Sequence, residues 1–213
     1  MPFVRRPMRL VALVLIPTVL AGCGVNAIPT KQERAKASWA EVQTQYQRRA
    51  DLIPNLVATV KGYAAQENTV LIGVTEARAS ATRVRSDASI TTDPAAFQRF
   101  QASQNNVSMA LLPFRVLQEK YPDLKSNQNF LALQSQLEGT ENRIAFARRD
   151  YNEAVRDYDT TLRTLPGSLW AGSFYRSAKP MQLFEATATS QSAPKVSFTP
   201  PAAPTAATPA APK

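Results

Sequence analysis

The sequence predicts an all-α fold, an elongated antiparallel bundle of long, partly kinked helices. Three observations carry this prediction. Apolar residues recur three and four positions apart over three long runs, as on a helix that buries one face. Each run starts beside a residue suited to capping, and the later two stop at proline. The connections between runs are short, so neighbouring helices must lie antiparallel, each stripe buried against the others. A length of 213 residues suits one domain with additional segments at its ends.

The first run opens at Thr30-Lys31-Gln32-Glu33, a capping box in which hydroxyl and carboxylate each satisfy a backbone donor. Its stripe is Trp39, Val42, Tyr46, Ala50, Ile53, Val57, Val60 and Ala64, extended by Val70, Leu71, Val74 and Ala77. Pro54 interrupts the hydrogen bonding, yet the apolar phase passes through it unbroken. A kinked helix, or two nearly collinear ones with Asp51 as the second cap, is expected rather than a reversal. Asp93-Pro94 marks the next start, a cap followed by a preset first residue. The stripe Phe97, Phe100, Val107, Leu111, Phe114, Leu117 and Tyr121 follows, ended by Pro122. Ser126 is expected to cap a third run, from Phe130 through Leu137, Ile144, Tyr151 and Tyr158 to Leu165, closed by Pro166-Gly167. Beyond it, "SLWAGSFY" and "MQLFEA" lack helical period; they are expected to cover one end of the bundle, the alternative being a place in the membrane interface. The bundle is thus assigned to residues 30–188, and the proline- and alanine-rich residues 189–213 to a disordered tail.

Residues 1–22 read as an export signal: Arg5, Arg6 and Arg9, an apolar core from Leu10 to Leu20, then small residues. That core is about half of the ~20 residues a membrane-spanning helix needs, so a retained transmembrane anchor is the weaker reading. Leu20-Ala21-Gly22-Cys23 resembles a bacterial lipobox, and Cys23 is the only cysteine in the chain. The expectation is cleavage between Gly22 and Cys23 and lipidation of Cys23, with residues 23–29 as a tether. Each buried acyl methylene contributes about 0.8 kcal/mol, so two or three chains hold firmly where one does not. An ordinary signal with an incidental cysteine is the alternative. Gly24 is not aspartate, which under the sorting rule associated with such lipoproteins favours the outer membrane where one exists. Loss of residues 1–22 removes three arginines and no acid, leaving 22 basic and 16 acidic side chains, a formal +6. That surplus favours anionic lipid or envelope polymer as a partner, and export argues against nucleic acid.

"QYQRRADLIPNLVATVKGYA" (45–64), "KYPDLKSNQNFLALQSQLEGTENRIAFARRDYNEAVRDYDTTLRTLP" (120–166) and "APKVSF" (193–198) resemble the LemA family. The resemblance implies a helical bundle beside a bacterial membrane and no established enzymatic activity. Members are described as membrane-associated proteins of ill-defined role, some linked to membrane-organelle formation or envelope stress. Many carry an N-terminal transmembrane helix, whereas this chain offers the lipobox at Cys23.

Catalytic signals are sparse. The chain has no histidine, the side chain best suited to proton transfer near neutral pH. Glu138 and Glu141 have the spacing of a bundle metal motif but lack its histidine. They are expected to pair with arginines, the candidates being Arg48, Arg49, Arg143, Arg148 and Arg149. No serine lies in a nucleophile elbow and no glycine-rich loop follows a strand. The reading is therefore a non-enzymatic protein with no cofactor and no metal. Arg48, Arg49, Asp51, Pro54 and Asn55 form the most pointed patch, either a docking notch or a kink whose freed carbonyl Asn55 captures. The expected function is scaffolding or protein binding at the envelope, facing the periplasm or cell exterior. The alternatives are a basic binder of envelope polymer or anionic lipid, and a regulatory adaptor of a membrane protease or sensor.

Overall fold

A computed structural model describes residues 24–185. The export signal, Cys23 and the tail from residue 189 lie outside them, as does "APKVSF". The described residues form helices, with no strand among them: α1 (Ala27–Lys61), α2 (Asn68–Arg83), a 3-10 turn (Ala88–Thr92), α3 (Pro94–Leu111), α4 (Pro113–Lys120), the single turn α5 (Pro122–Lys125), α6 (Gln128–Arg163) and α7 (Gly167–Ser173).

The backbone of the fold is the antiparallel pair α1 and α6. Its register is read from Arg34–Asp157 at one end, Arg49–Glu141 in the middle and Tyr63–Asn127 at the other. At 1.5 Å per residue, the 36 residues of α6 extend about 54 Å. α2 folds back on α1, and α3 with α4 returns alongside α2. α1 thus has α6 on one flank and α2 on another, and α3 faces α6 across an open seam. After a turn at Tyr175–Ala178, the irregular segment to Glu185 lies in that seam: Gln182 donates to the Thr91 carbonyl, Tyr151 donates to the Gln182 carbonyl, and Asn152 bonds both backbone groups of Phe184.

Two apolar clusters fill the interior. The nearer to the N-terminus is aromatic, with Trp39 packed on Phe97, Phe100, Tyr151 and Phe184 at ring separations of 5.2–6.0 Å. Each well-oriented aromatic pair adds about 0.5–1.5 kcal/mol to the burial itself. The Trp39 indole donates to the Ser86 carbonyl at 3.0 Å and pins the α2–α3 connection to α1. The farther cluster is mainly aliphatic, built from Ile53, Leu56, Val60, Leu71, Val74, Leu117 and Leu137 with Phe114 and Phe130.

Several boundaries differ from the sequence reading. α1 starts at Ala27, behind Asn26, rather than at a Thr30 capping box, because Ile28 is fully buried and draws the helix start toward it. Pro29 falls in the first turn, where no intrahelical donor is needed. The first stripe is two helices: it runs straight through Pro54 and turns back after Lys61, where α2 buries Leu71 and Val74 against the same core. Pro113 divides the second stripe into α3 and α4. Asn127, not Ser126, caps α6 by accepting from the Phe130 amide. Asp93 caps α3 as expected, accepting from Ala95 and Ala96. "SLWAGSFY" contains a helix after all, α7, folded tightly onto the end of α6; a Cβ at Gly167 would collide with the Thr161 carbonyl.

Candidate functional site

Arg49 and Pro54 belong to one sequence patch but to two surroundings. Arg49 points inward and is 1% exposed, whereas Arg48, Asp51, Pro54 and Asn55 face solvent. The Arg49 guanidinium donates from Nη1 to Ser108 Oγ (2.7 Å) and Glu141 Oε1 (2.9 Å). From Nη2 it donates to the Gln104 backbone carbonyl (3.0 Å) and Gln104 Oε1 (2.7 Å). Its cationic carbon lies 5.1 Å from the centre of the Tyr46 ring. Burial pushes the Tyr46 hydroxyl above its ordinary pKa, and Arg148 and Arg49 partly offset that. A planar fork that joins three helices in this way cannot be replaced by an ammonium. The knot fastens α3 to α6 through α1 at the point where the two would otherwise part.

Of the predicted carboxylate pairs, Glu141 meets Arg49, while Glu138 accepts from Gln134 instead. Arg148 stacks on Phe184 at 4.5 Å and Arg149 on Phe146 at 5.2 Å. Among the described residues no three acidic, cysteine or histidine side chains are grouped to hold a metal ion.

The backbone near Pro54 is satisfied from outside the patch. Proline has no N–H, so the Ala50 carbonyl, four residues earlier, loses its helical donor. The capture expected of Asn55 is made by Arg78 of α2, whose Nε donates to the Ala50 carbonyl at 2.6 Å. Pro54 is therefore coupled to the α1–α2 packing, and the notch expected around it is divided between this bond and the Arg49 knot.

Beyond the knot no described element fills the seam between α3–α4 and α6. It forms a groove of about 390 Å³, floored by Leu56, walled by Leu111, Phe114, Phe130 and Leu137, and rimmed by Arg115, Gln134, Glu138 and Asn142. Exposed Leu112 stands at its lip and leads to Met109 and Val116, also exposed. Ser108 and Glu141 line the groove while holding Arg49, so the knot is the groove's end wall. The size and mixture of apolar walls with a few polar groups are those of a binding cleft. Stripe residues alone do not reveal it, since all of them read as core; Gln104, Ser108 and Arg78 also escaped the sequence reading, being polar residues with no motif around them.

At the opposite end, Gly24 packs against Pro166 and Trp170; a Cβ there would lie 2.9 Å from Pro166 Cγ. No helix among the described residues is long and apolar enough to cross a membrane.

A family model described as the LemA family matches residues 38–198, well over half of the chain, and the chain belongs to that family. No curated protein matches it closely.

Proposed function

We propose that this LemA-family protein is a membrane-anchored envelope lipoprotein without enzymatic activity, which offers its groove to a segment of a partner protein. In this reading the signal 1–22 is removed, Cys23 carries the lipid, and the bundle faces the periplasm or cell exterior. An outer membrane is favoured where one exists. The observation that carries the reading is the open seam itself. Leu56, Phe114, Phe130 and Leu137 form a continuous apolar floor and wall with no described element over them. A partner segment that fits is amphipathic, with one apolar face in the groove and polar groups against Arg115, Glu138 and Asn142.

The groove lies 21 to 33 residues up α6 from its end at Arg163, about 32–50 Å. A scaffold needs such separation between its attachment and its docking surface. A regulatory adaptor of a membrane protein would use the same groove. The test is a photo-reactive residue at Gln134, crosslinked in intact cells and resolved by mass spectrometry. One adduct of defined mass is expected, and it should vanish when exposed Leu112 is changed to Glu. A folded protein that gives no adduct at Gln134, or the same adduct with Leu112→Glu, would sink the groove as docking site.

A further inference from the structure

The tip of the molecule beside Gly24 has an unusual surface. Leu165, Leu169 and Phe174 are 75%, 63% and 72% exposed, three large apolar side chains within ten residues. They project from the turn and short helix that cap the end of α6. Trp170, between them, anchors the element by packing partly into the aromatic cluster and lies 5.8 Å from the Phe174 ring. Exposed Arg163, Arg176 and Lys179 flank the apolar residues in sequence, and Lys31, half-buried on the facing helix, donates to the Asp157 carbonyl. No Asp or Glu occurs from Thr160 to Phe184 or from Gly24 to Gln32. The nearest acids of α6 are turned to other tasks: Asp157 pairs with Arg34, and Asp159 accepts from the Met181 amide.

We propose that this tip is a membrane foot, in which Leu165, Leu169 and Phe174 enter the headgroup–acyl boundary of an anionic bilayer while the flanking cations rest on its phosphates. Projecting apolar residues flanked by cations, in a stretch without acids, match the chemistry of such an interface. A protein partner of a convex surface would have to supply the cavity. Position supports the same occupant: Gly24 touches Pro166 and Trp170, so the chain toward Cys23 leaves the bundle beside the three apolar side chains. The foot rests on the anchor proposed at Cys23 for its placement, and it adds a second contact. One flexible tether leaves the bundle free to tumble, whereas tether and foot together set its axis away from the surface.

The full chain is produced in a bacterial host and reconstituted into phosphatidylethanolamine–phosphatidylglycerol vesicles with brominated acyl chains. In a Trp170→Phe background, Phe174→Trp places an emitter at the tip and Met109→Trp places one at the groove end, with buried Trp39 common to both. Bromine should quench the Phe174→Trp protein about twofold or more beyond the Met109→Trp protein. Adding Leu165→Glu, or replacing phosphatidylglycerol by phosphatidylcholine, should reduce that difference. Intact mass of the same sample reports the state of Cys23 independently. Quenching with an unmodified thiol keeps the foot and removes the anchor; an acylated Cys23 with equal quenching at both positions keeps the anchor and overturns the foot. A tip that stays unquenched yet crosslinks to an envelope protein also overturns it.

Discussion

The two halves of the bundle are built on the same helices but close their seams differently. In the half near Gly24, the segment Tyr175–Glu185 lies between α3 and α6, and Phe184 joins the cluster of Trp39, Phe97 and Tyr151. In the other half α3–α4 and α6 diverge past Arg49, and Phe114 and Phe130, themselves buried, line a groove that no described element fills. Stretches of the same long helix pair thus yield a sealed core where a third element supplies side chains and a cleft where no described element does. An apolar stripe specifies what must be covered; it does not specify what covers it.

The largest expected effect compares the two seams directly. Phe184→Ala should cost about 3–5 kcal/mol, because the sealed cluster cannot collapse around the lost ring. Phe114→Ala, equally buried but beside a groove into which its neighbours can relax, should cost about 3 kcal/mol, the low end of the same range. Urea unfolding of both variants measures the gap, and equal costs would break the comparison.

The boundary between the halves comes next. Arg49→Lys keeps the charge but loses the fork that reaches Gln104, Ser108 and Glu141 together, and about 1.5–3 kcal/mol should follow. If the knot is the groove's end wall, the same variant should weaken the Gln134 crosslink even where the protein remains folded.

Arg78→Ala should cost about 1–2 kcal/mol by leaving the Ala50 carbonyl unbonded. In a Pro54→Ala background the restored amide can take that carbonyl, so the cost of losing Arg78 should fall to about half or less. Additive costs in this double-mutant cycle would show that Arg78 acts elsewhere.

The smallest effect is a pH dependence in the sealed half. Burial raises the Asp159 carboxyl above its ordinary value, with the Met181 amide and Arg163 pulling it back. A carboxyl with a raised folded pKa favours the folded state while protonated in it. That contribution is complete below the unfolded value near 3.8 and is lost as pH rises through the higher folded value. Asp159→Asn keeps an acceptor for Met181 and removes the charge. It should therefore gain stability over the parent at neutral pH, with the difference shrinking in acid. A difference that grows as pH falls would reverse the assignment.

Much of this architecture was legible from local signals. The three stripes, the Asp93 cap and the passage of α1 through Pro54 follow from periodicity and capping chemistry, and Arg49 was a named candidate to pair with Glu141. What escaped depends on tertiary packing. The reversal after Lys61 has no proline to announce it; it is set by Leu71 and Val74 reaching the same core as Leu56. Arg78 has no motif, because its acceptor exists only once α2 lies against α1. The groove is the separation of two helices, a property no single segment of sequence contains.

The long α1–α6 pair has a mechanical consequence. It is a continuous rod with a cleft well along its length, and under the anchoring proposed beside Gly24 it acts as a lever. Pivoting five degrees about the Gly24 end sweeps the cleft sideways by about 3–4 Å. Slight rocking of an anchored base would thus shift the cleft by several ångström with no internal contact broken.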